Sequence, residues 1–521
     1  MIRVYNTLSK TKEPFETVQP GQVRIYLCGP TVYKPSHVGH MVGPVIFDTI
    51  KRYLTYCGYQ VTLVINVTDV DDKLINESNA RGIPMAKLAE EMTADYMRNI
   101  QALQVDTVDH FPKATEHIQN IIDFTADLVR KGFAYESDGD VYFEVSKFPE
   151  YGKLSHRSLE SMVGEGGTTA QRKRSSADFA LWKSGKPGEP SWPSPWGPGR
   201  PGWHIECSVM SGRLLGETFD IHGGGLDLVF PHHENEIAQS ESRHGKPMAR
   251  YWVHNGLMQA SSEVGKVGGR RTRAVEGDIQ SQDAGKISKS RGSSPFRELL
   301  ADFEPETIRF FLLSTHYRRP IDFGEERIRE VGTGLATFYR FFKRYERITG
   351  RSFYAIEAPA RRSEGDFDPG GDPVLAAVAE LRQRFLEAMD DDFNTGGGIG
   401  VSFDLLRRLN KFVDDERLED AANPAHDHRA DAARLAVLEQ GARTLRELAC
   451  TLGLFRQAPK EARAPSGDDA LVGKLMELLI EVRGDARKAK NFAAADKIRQ
   501  RLAVLGVVLE DRTGGTEWTR K

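Results

Sequence analysis

Three runs near the N-terminus decide the fold: VRIYLC at residues 23–28, VGPVIFDTIKRYLTYCGY at 42–59 and VTLVINVTDV at 61–70. The first and third runs are apolar and rich in β-forming residues, which predicts two buried strands. The middle run has apolar residues at helical spacing, which predicts a helix between them. A strand, a helix and a second strand at this spacing indicate a right-handed βαβ unit of a parallel sheet. We therefore expect an α/β fold that binds its ligands at the carboxyl ends of the strands, where Cys28 and Thr68 fall.

The composition of this chain of 521 residues limits the classes of protein to which it can belong. Hydrophobic residues make up 39% and charged residues 28%, which is typical of an ordinary globular protein. Because 71 Lys and Arg face 74 Asp and Glu, the net charge of −3 excludes a uniformly basic nucleic-acid coat and an acidic disordered chain. The sequence has neither a signal-peptide core nor an apolar run of about 18 residues, so we expect a cytoplasmic protein that does not enter membranes.

The four cysteines are too few for a disulfide framework, which leaves metal ligation, catalysis or plain burial as their uses. Cys57 and Cys450 are expected to be small buried hydrophobic residues. By contrast, Cys28 and Cys207 each lie beside a predicted binding segment.

The segment PHHENE supplies two more donors, since His232 and Glu236 are four residues apart and therefore share one helix face. Together with Cys28 and Cys207 they offer two thiolates, one imidazole and one carboxylate. This set of donors suits Zn²⁺.

Two segments have the features of a phosphate site. HVGH (residues 37–40) lies between a predicted strand and a helix, whose N-terminus attracts anions. Its two histidines can donate hydrogen bonds to charge that develops on a phosphate. GKISKS (residues 285–290) places Lys286 and Lys289 in a loop that begins with glycine and can hold a polyphosphate. Each motif alone also fits a simpler interpretation, namely helix-capping histidines and a solvated basic loop.

A third segment, HGGGLDL at residues 222–228, follows an apolar run. Three successive glycines allow backbone contact with a flat base, and Asp227 can accept hydrogen bonds from ribose hydroxyls. Taken alone, a triple glycine more often marks a tight turn.

HVGH and GKISKS, about 245 residues apart, together resemble the two signature motifs of class I aminoacyl-tRNA synthetases. Further segments resemble the cysteinyl-tRNA synthetases within that class, and this resemblance extends to the C-terminus. They are CGPTVY (28–33), NVTDVDDK (66–73), GWHIECS (202–208) and FDIHGGGLDLVFPHHENEIAQSE (219–241).

The resemblance implies a Rossmann-type parallel-sheet catalytic domain, a helical bundle and a small C-terminal anticodon-binding domain. It also implies that cysteine reacts with ATP, accompanied by Mg²⁺, to form cysteinyl-adenylate and pyrophosphate. The cysteine then passes to the 3′-terminal adenosine of tRNA(Cys), and we expect the enzyme to be a monomer.

The resemblance assigns a role to each candidate residue. The zinc ligands are Cys28, Cys207, His232 and Glu236, and the zinc binds the thiolate of the substrate. A hydrophobic pocket alone discriminates poorly between near-isosteres such as cysteine and serine, whereas a metal–thiolate bond distinguishes them directly. The residues that bind the phosphates are His37, His40, Lys286 and Lys289. The other residues that contact ATP are Gly39, His222, Gly224 and Asp227. The residues that contact cysteine are Gly29, Thr68 and Trp203.

The last 52 residues contain two predicted helices and a predicted β-ribbon formed by VVLED and TEWTR. They resemble the anticodon-binding module of the family. From residue 470 onward, eleven Lys and Arg stand against seven Asp and Glu, which indicates an anionic partner. By position, Arg487, Phe492, Asp496 and Asp511 would face the anticodon, where Phe492 would stack on a base and the carboxylates would read guanine.

Three positions depart from the family pattern. Ile287 stands where methionine is usual, Phe492 where tryptophan is frequent, and the polar stretch 261–284 is longer than usual there.

We expect eight segments along the chain. They are the first half of the catalytic domain (1–110), a connective insertion (111–215), the second half of the catalytic domain (216–260), a flexible insertion (261–284), the lysine loop with a stem-contact region (285–330), the helical bundle (331–456), a linker (457–469) and the anticodon-binding domain (470–521).

Two alternatives share these motifs. A ligase of the mycothiol type keeps the adenylation site but joins cysteine to an amino sugar, which requires neither the bundle nor the basic C-terminus. A tRNA-binding paralogue without catalysis would not need HVGH, both lysines and all four metal donors.

Overall fold

A computed structural model describes the chain over residues 1–158, 172–260, 294–419, 428–459, 467–512 and 515–520. Lys286 and Lys289, with the rest of the predicted lysine loop and the stretch 261–284, lie outside the described residues. The chain divides into two compact units, an N-terminal unit (Met1–Arg456) and a C-terminal unit (Gln457–Lys521).

The described strands, in chain order, are β1 (Arg3–Asn6), β2 (Thr11–Pro14), β3 (Gln22–Leu27), β4 (Gln60–Ile65), β5 (Ala134–Ser137), β6 (Asp140–Phe143), β7 (Phe179–Ser184), β8 (Gly199–Pro201), β9 (Phe219–Gly225), β10 (Ala249–Asn255), β11 (Met258–Ala260), β12 (Ile321–Phe323), β13 (Val507–Arg512) and β14 (Gly515–Arg520). The described helices are α1 (Gly39–Tyr56), α2 (Asp72–Arg81), α3 (Met85–Ala102), α4 (Ile118–Arg130), α5 (Trp203–Leu215), α6 (Glu234–His244), α7 (Phe296–Asp302), α8 (Pro305–Leu313), α9 (Glu325–Thr349), α10 (Pro373–Asp390), α11 (Thr395–Asp415), α12 (His428–Thr451), α13 (Gly467–Lys488) and α14 (Phe492–Val504).

The catalytic sheet consists of four parallel strands in the order β10-β9-β3-β4. Helix α1 connects β3 to its parallel neighbour β4, which confirms the predicted βαβ unit. Strand β4 ends at Ile65, however, and is shorter than the predicted run of 61–70. The chain leaves the ladder at Asn66, because the Asn66 side chain accepts a hydrogen bond from the backbone of Gly29 at 2.8 Å. Thr68 therefore lies in the loop beyond the strand, where it forms an isolated bridge with Thr31.

The connective insertion contains a regular four-stranded antiparallel sheet, β5-β6-β7-β8. Helix α5 follows β8 and packs on β3 of the catalytic sheet as well as on α6. This packing brings the first half of the catalytic domain, the end of the insertion and the start of the second half together.

The helical bundle follows the short parallel pair β11 and β12. Helix α9 begins at Glu325 and passes through the predicted boundary at 330/331 without a break. One apolar core extends from α1 and the catalytic sheet into α9, α10, α11 and α12. Arg309 on α8 is buried in this core, where it donates to Asp48 on α1 at 2.6 Å and to the backbone of Leu452 at 3.1 Å. This buried ion pair ties the catalytic domain to the bundle.

The C-terminal unit consists of α13, α14 and the antiparallel ribbon of β13 and β14. The ribbon confirms the one predicted from VVLED and TEWTR. Its small core contains Met476, Leu502, Val507 and Leu509. Among the described residues of the whole chain, we find no helix whose length and apolar character would let it cross a membrane.

Candidate active site and metal centre

A cavity of about 560 Å³ opens at the carboxyl ends of the strands of the catalytic sheet. Strand β3 lies between β4, which follows it in the chain, and β9, which comes much later. The cavity therefore occupies the crevice where open parallel sheets bind ligands. Ten residues predicted to bind substrates or metal line it together: Cys28, Gly29, His37, Gly39, His40, Thr68, Trp203, Cys207, Asp227 and His232. Three predicted residues, His222, Gly224 and Glu236, are not among those that line it.

The four predicted metal donors form one group, the donor cluster, whose ligand atoms lie within 4.8 Å of one another. Cys28 follows β3, Cys207 is on α5, His232 lies in the turn just before α6, and Glu236 is in the first turn of α6. The Cys28 Sγ is 3.6 Å from the Cys207 Sγ and 3.4 Å from the Glu236 Oε1, and the His232 Nε2 is 3.1 Å from the same Oε1. Three elements far apart in sequence thus converge at the floor of the cavity.

The chemistry of the donor cluster fits a bound cation. Burial, together with the neighbouring Cys207 and Glu236, raises the pKa of Cys28 well above its usual range, and burial also raises the pKa of Cys207. Burial lowers the pKa of His232 to about 4, so its imidazole is neutral and has a lone pair to donate. Ionised thiols and a carboxylate at these distances repel one another unless a positive charge lies between them.

A second set of donors, Cys28, His222, His233 and Glu236, meets the same distance limit. Its histidines, however, are already engaged by protein groups. The His222 Nε2 is 2.8 Å from the Glu236 Oε2, and the His233 Nδ1 is 2.8 Å from the Nε2 of His254. This set shares Cys28 and Glu236 with the donor cluster and is therefore not a separate site, and His222 orients the cluster through Glu236.

His222 supports the donor cluster, and its predicted contact with ATP stays a prediction. The residue was expected to contact ATP, but its side chain is fully buried, stacks on Trp252 at a centroid distance of 4.4 Å and bonds Glu236. Gly224 likewise serves packing, since a Cβ there would lie 2.6 Å from the His233 ring. Asp227 of this segment lines the cavity, as do Gly225 and Leu228.

The two histidines of HVGH lie at the start of α1 and stack on each other, with ring centroids 3.8 Å apart. The Nδ1 of His37 accepts a hydrogen bond from the backbone of Gly39 at 3.1 Å, which fixes its ring at the helix N-terminus. Burial lowers the pKa of His37, and burial with the charges of His37 and Lys73 lowers the pKa of His40 to about 3. Both imidazoles are therefore neutral near pH 7 and act as hydrogen-bond groups rather than as charges.

The amino-acid side of the cavity contains a residue that the sequence did not single out. The Thr68 hydroxyl donates to Glu206 at 2.9 Å, and burial raises the pKa of Glu206 well above its usual range. Trp203 is 37% exposed and stacks on His232 at 4.3 Å, so it forms a wall directly above the donor cluster. Glu206 could have been noticed from its place in WHIECS, between Trp203 and Cys207.

Three further residues near the site were not predicted from the sequence: His204, His254 and Asn255. His204 is 3.0 Å from His232 through their Nδ1 atoms, and His254 is 2.8 Å from Thr7. Asn255 lines the cavity with a buried Oδ1 that has no hydrogen-bond partner in the described structure. No short motif marks these residues, because their roles arise only when the strand ends meet.

The predicted anticodon residues differ in how far they are free to bind. Phe492 is 59% exposed and Asp496 is also exposed. Asp511, in contrast, accepts hydrogen bonds from Arg483 at 2.7 Å and from Arg487 at 3.0 Å, and those from Arg483 lower its pKa. Arg487 and Asp511 thus bond each other in the described structure, and their predicted place at the anticodon stays a prediction.

Family models match three parts of the chain. The tRNA synthetases class I (C) catalytic domain matches residues 14–266, the DALR domain matches 384–456, and the cysteinyl-tRNA ligase anticodon binding domain matches 476–518.

Among curated proteins, the cysteine–tRNA ligase of Geobacter sulfurreducens is 44% identical, with all of both chains covered. That of Thermococcus onnurineus is 43% identical over 100% of this chain and 99% of its own. In fold, the chain is similar to Mycobacterium tuberculosis methionyl-tRNA synthetase in complex with methionyl-adenylate. That similarity has a TM-score of 0.60 and 16% identity, and it covers 83% of this chain and 91% of the other. The full-length matches and the assembled strand-end site agree, and we conclude that this chain belongs to the cysteine–tRNA ligase family of class I aminoacyl-tRNA synthetases.

Proposed function

We propose that the protein is a cysteine–tRNA ligase that activates L-cysteine with ATP and transfers it to tRNA(Cys), with zinc as the group that selects the thiol. The observation that carries the proposal is the donor cluster at the floor of the same cavity that contains the HVGH histidines. A thiol site and a phosphate site in one cavity suit a reaction that joins cysteine to a nucleotide.

The donor cluster serves the selection of the substrate. Cys28, Cys207, His232 and Glu236 would hold a zinc ion, which when bound favours a thiolate ligand over a hydroxyl. His222 fixes the Glu236 carboxylate through its second oxygen, and Trp203 covers His232 from the cavity side. Serine, which differs from cysteine by one atom, is rejected here by the chemistry of the donor set and not by the size of the pocket.

The opposite end of the cavity serves the chemical step. A carboxylate oxygen of cysteine attacks the α-phosphorus of ATP, and the bond to the bridging oxygen breaks as pyrophosphate leaves. His37 and His40, held neutral at the N-terminus of α1, donate N–H groups to the phosphate oxygens, where charge develops. Lys286 and Lys289 keep their predicted role on the pyrophosphate, with Mg²⁺ bound to ATP. The protein contributes position and electrostatics, and no protein nucleophile is needed.

The C-terminal unit would provide recognition of tRNA(Cys). Its match to an anticodon-binding family and the exposed ring of Phe492 support this role. An exposed aromatic ring stacks on an unpaired base without regard to its identity. This module also argues against an amino-sugar acceptor, which would not require it.

Two assays with the purified protein test the proposal. Cysteine-dependent ATP–pyrophosphate exchange measures adenylation, and charging of tRNA(Cys) with labelled cysteine measures transfer. We expect both reactions, together with about one zinc per chain in a metal analysis. Exchange without charging, but with transfer of cysteine to glucosaminyl-inositol, would replace the proposal with the amino-sugar ligase. Absence of exchange would favour a tRNA-binding protein without catalysis.

A further inference from the structure

Lys73 on α2 is a cation at the cavity that the function above does not use. It lines the cavity together with His37, His40 and Thr68, and its charge contributes to the environment of His40. Its Nζ lies 5.6 Å from the ring centroid of Tyr33, another residue that lines the cavity. Lys73 is therefore on the cavity wall, on the side of the HVGH histidines.

The acidic residues around Lys73 are all committed to other groups. Asp71 caps α2 by accepting from the Lys73 backbone N–H at 2.8 Å, and Asp72 pairs with Lys183 at 2.6 Å. Glu77 accepts from Arg81 at 2.8 Å and lies 3.8 Å from Lys34. Among the described residues, no carboxylate lies within ion-pair distance of the Lys73 ammonium, so its charge remains available to a ligand.

The place of Lys73 in its helix also argues against a structural role. It occupies the first turn of α2, where the helix dipole favours anions and disfavours a lysine. Its side chain is exposed. A cation that is unpaired, placed against the helix dipole and beside a cavity fits the recognition of an anionic ligand.

We propose that Lys73 is a phosphate-binding residue of the ligase reaction, whose ammonium contacts a non-bridging phosphate oxygen presented in this cavity. The inference rests on the proposed function, because that function brings phosphates to the site. Two substrates present this chemistry: the triphosphate of ATP during adenylation, and the last phosphodiester of the RNA acceptor during transfer.

Lys34 provides a matched control beside the same ring. Its Nζ lies 5.8 Å from the centroid of Tyr33, but it lies 3.8 Å from Glu77 and does not line the cavity. A general effect of positive charge near Tyr33 would therefore appear in both lysine variants. A phosphate contact would appear only in the Lys73 variants.

The test compares Lys73→Ala, Lys73→Arg and Lys34→Ala with the wild-type full chain, whose exchange and charging first establish the proposed function. ATP–pyrophosphate exchange is measured against ATP and cysteine, and transfer is measured in single turnovers from preformed adenylate to tRNA(Cys). We expect Lys73→Ala to lower kcat/KM for ATP, or the transfer rate, by about 10- to 100-fold, the effect of losing one charged hydrogen bond. Lys73→Arg should recover most of that loss, because it keeps the charge.

The pattern of loss identifies the phosphate. A loss confined to exchange assigns the contact to ATP, whereas a loss confined to transfer assigns it to the RNA phosphodiester. The melting temperature of each variant confirms that it is folded, as the exposed position of Lys73 leads us to expect. Wild-type rates in Lys73→Ala, or an equal loss in Lys34→Ala, would overturn the proposal while leaving the ligase activity of the wild type established.

Discussion

The two ends of the cavity are constructed differently. At the thiol end, Cys207, His232 and Glu236 are almost fully buried, and each donor is within reach of the next. At the phosphate end, His37 and His40 are only partly buried and stack on each other at the start of a helix. The donors of the first site are held deep in the protein at the floor of the cavity, whereas the histidines of the second are partly exposed.

The difference separates selection from chemistry. A metal site gains specificity when its donors are held rigidly by further protein groups, as Glu236 is by His222. A site for phosphoryl chemistry must instead admit ATP and release pyrophosphate, and its donors act on charge that exists only in the transition state. We therefore expect variants at the two ends to fail in different measurements.

The largest effect is expected from Cys207→Ser. Loss of one thiolate should remove the bound metal, and cysteine-dependent exchange should fall by more than about 1,000-fold as substrate binding and selection are lost together. Metal analysis and exchange in the presence of competing serine measure both losses. Cys57→Ser is the control, since Cys57 lies at the end of α1, outside the donor cluster. Full activity of Cys207→Ser without metal would show that the two ends do not differ in this way.

His40→Ala should give the complementary result at the phosphate end. We expect exchange to fall by about 100-fold, the usual cost of removing one donor to a developing charge. The metal content should remain that of the wild type, because His40 touches none of the metal donors. A loss of metal in this variant would mean that the two ends are one coupled site.

His222→Ala distinguishes the nucleotide role predicted from the sequence from the supporting role seen in the structure. Without its bond to Glu236, metal affinity should fall by about 10- to 100-fold, and KM for ATP should change little. Metal competition with a chelator and exchange kinetics give the two values. His244→Ala is the control, since His244 lies on the helix that carries Glu236 but interacts with Glu217 instead. A raised KM for ATP with unchanged metal affinity would restore the nucleotide role.

Phe492→Ala extends the comparison to the C-terminal unit. If the exposed ring stacks on an anticodon base, kcat/KM for tRNA(Cys) in charging should fall by about tenfold. Exchange, which requires no tRNA, should remain unchanged. Val504→Ala, which removes another exposed apolar side chain from the same unit, should leave charging intact. Equal losses in both variants would indicate a general change of the unit rather than stacking.

The smallest effect is expected for the pH dependence of the Asp511 ion pair. The Arg483 hydrogen bonds lower the pKa of Asp511 in the folded protein. The pair therefore stabilises the C-terminal unit at pH values above about 3.9, the pKa of an aspartate in an unfolded chain. That stabilisation is lost as the pH falls further through the folded pKa. Hydrogen exchange of β13 in the full chain should therefore be slower in the wild type than in Asp511→Asn at pH 7. The difference should shrink as the pH is lowered from about 4 towards the folded pKa, and a difference that stays the same over that range would contradict the assignment.

The sequence predicted those parts of the molecule that local pattern determines. The parallel βαβ unit, α1 and the C-terminal ribbon follow from periodicity, and the class I synthetase fold follows from the motifs. The four metal donors were identified by residue type together with the resemblance, and the structure brings them together.

The remainder depends on contacts between distant segments, which no local pattern encodes. His222 bonds Glu236, and Asp511 pairs with Arg483. In both cases the partner comes from a different segment of the chain. Strand β4 ended early because Asn66 bonds the backbone beside Cys28. Packing decides which partner each side chain meets. The sequence motifs therefore predicted the segments that form the site more reliably than the role of each side chain.

The central claim is that the donor cluster binds a metal that recognises the sulfur of the substrate. X-ray absorption at the zinc edge of the purified protein, recorded before and after addition of cysteine, tests it most directly. We predict two sulfur ligands, from Cys28 and Cys207, in the free protein, and a third sulfur when cysteine is added but not when serine is added. A protein without bound metal, or a sulfur count that cysteine does not change, would contradict the claim.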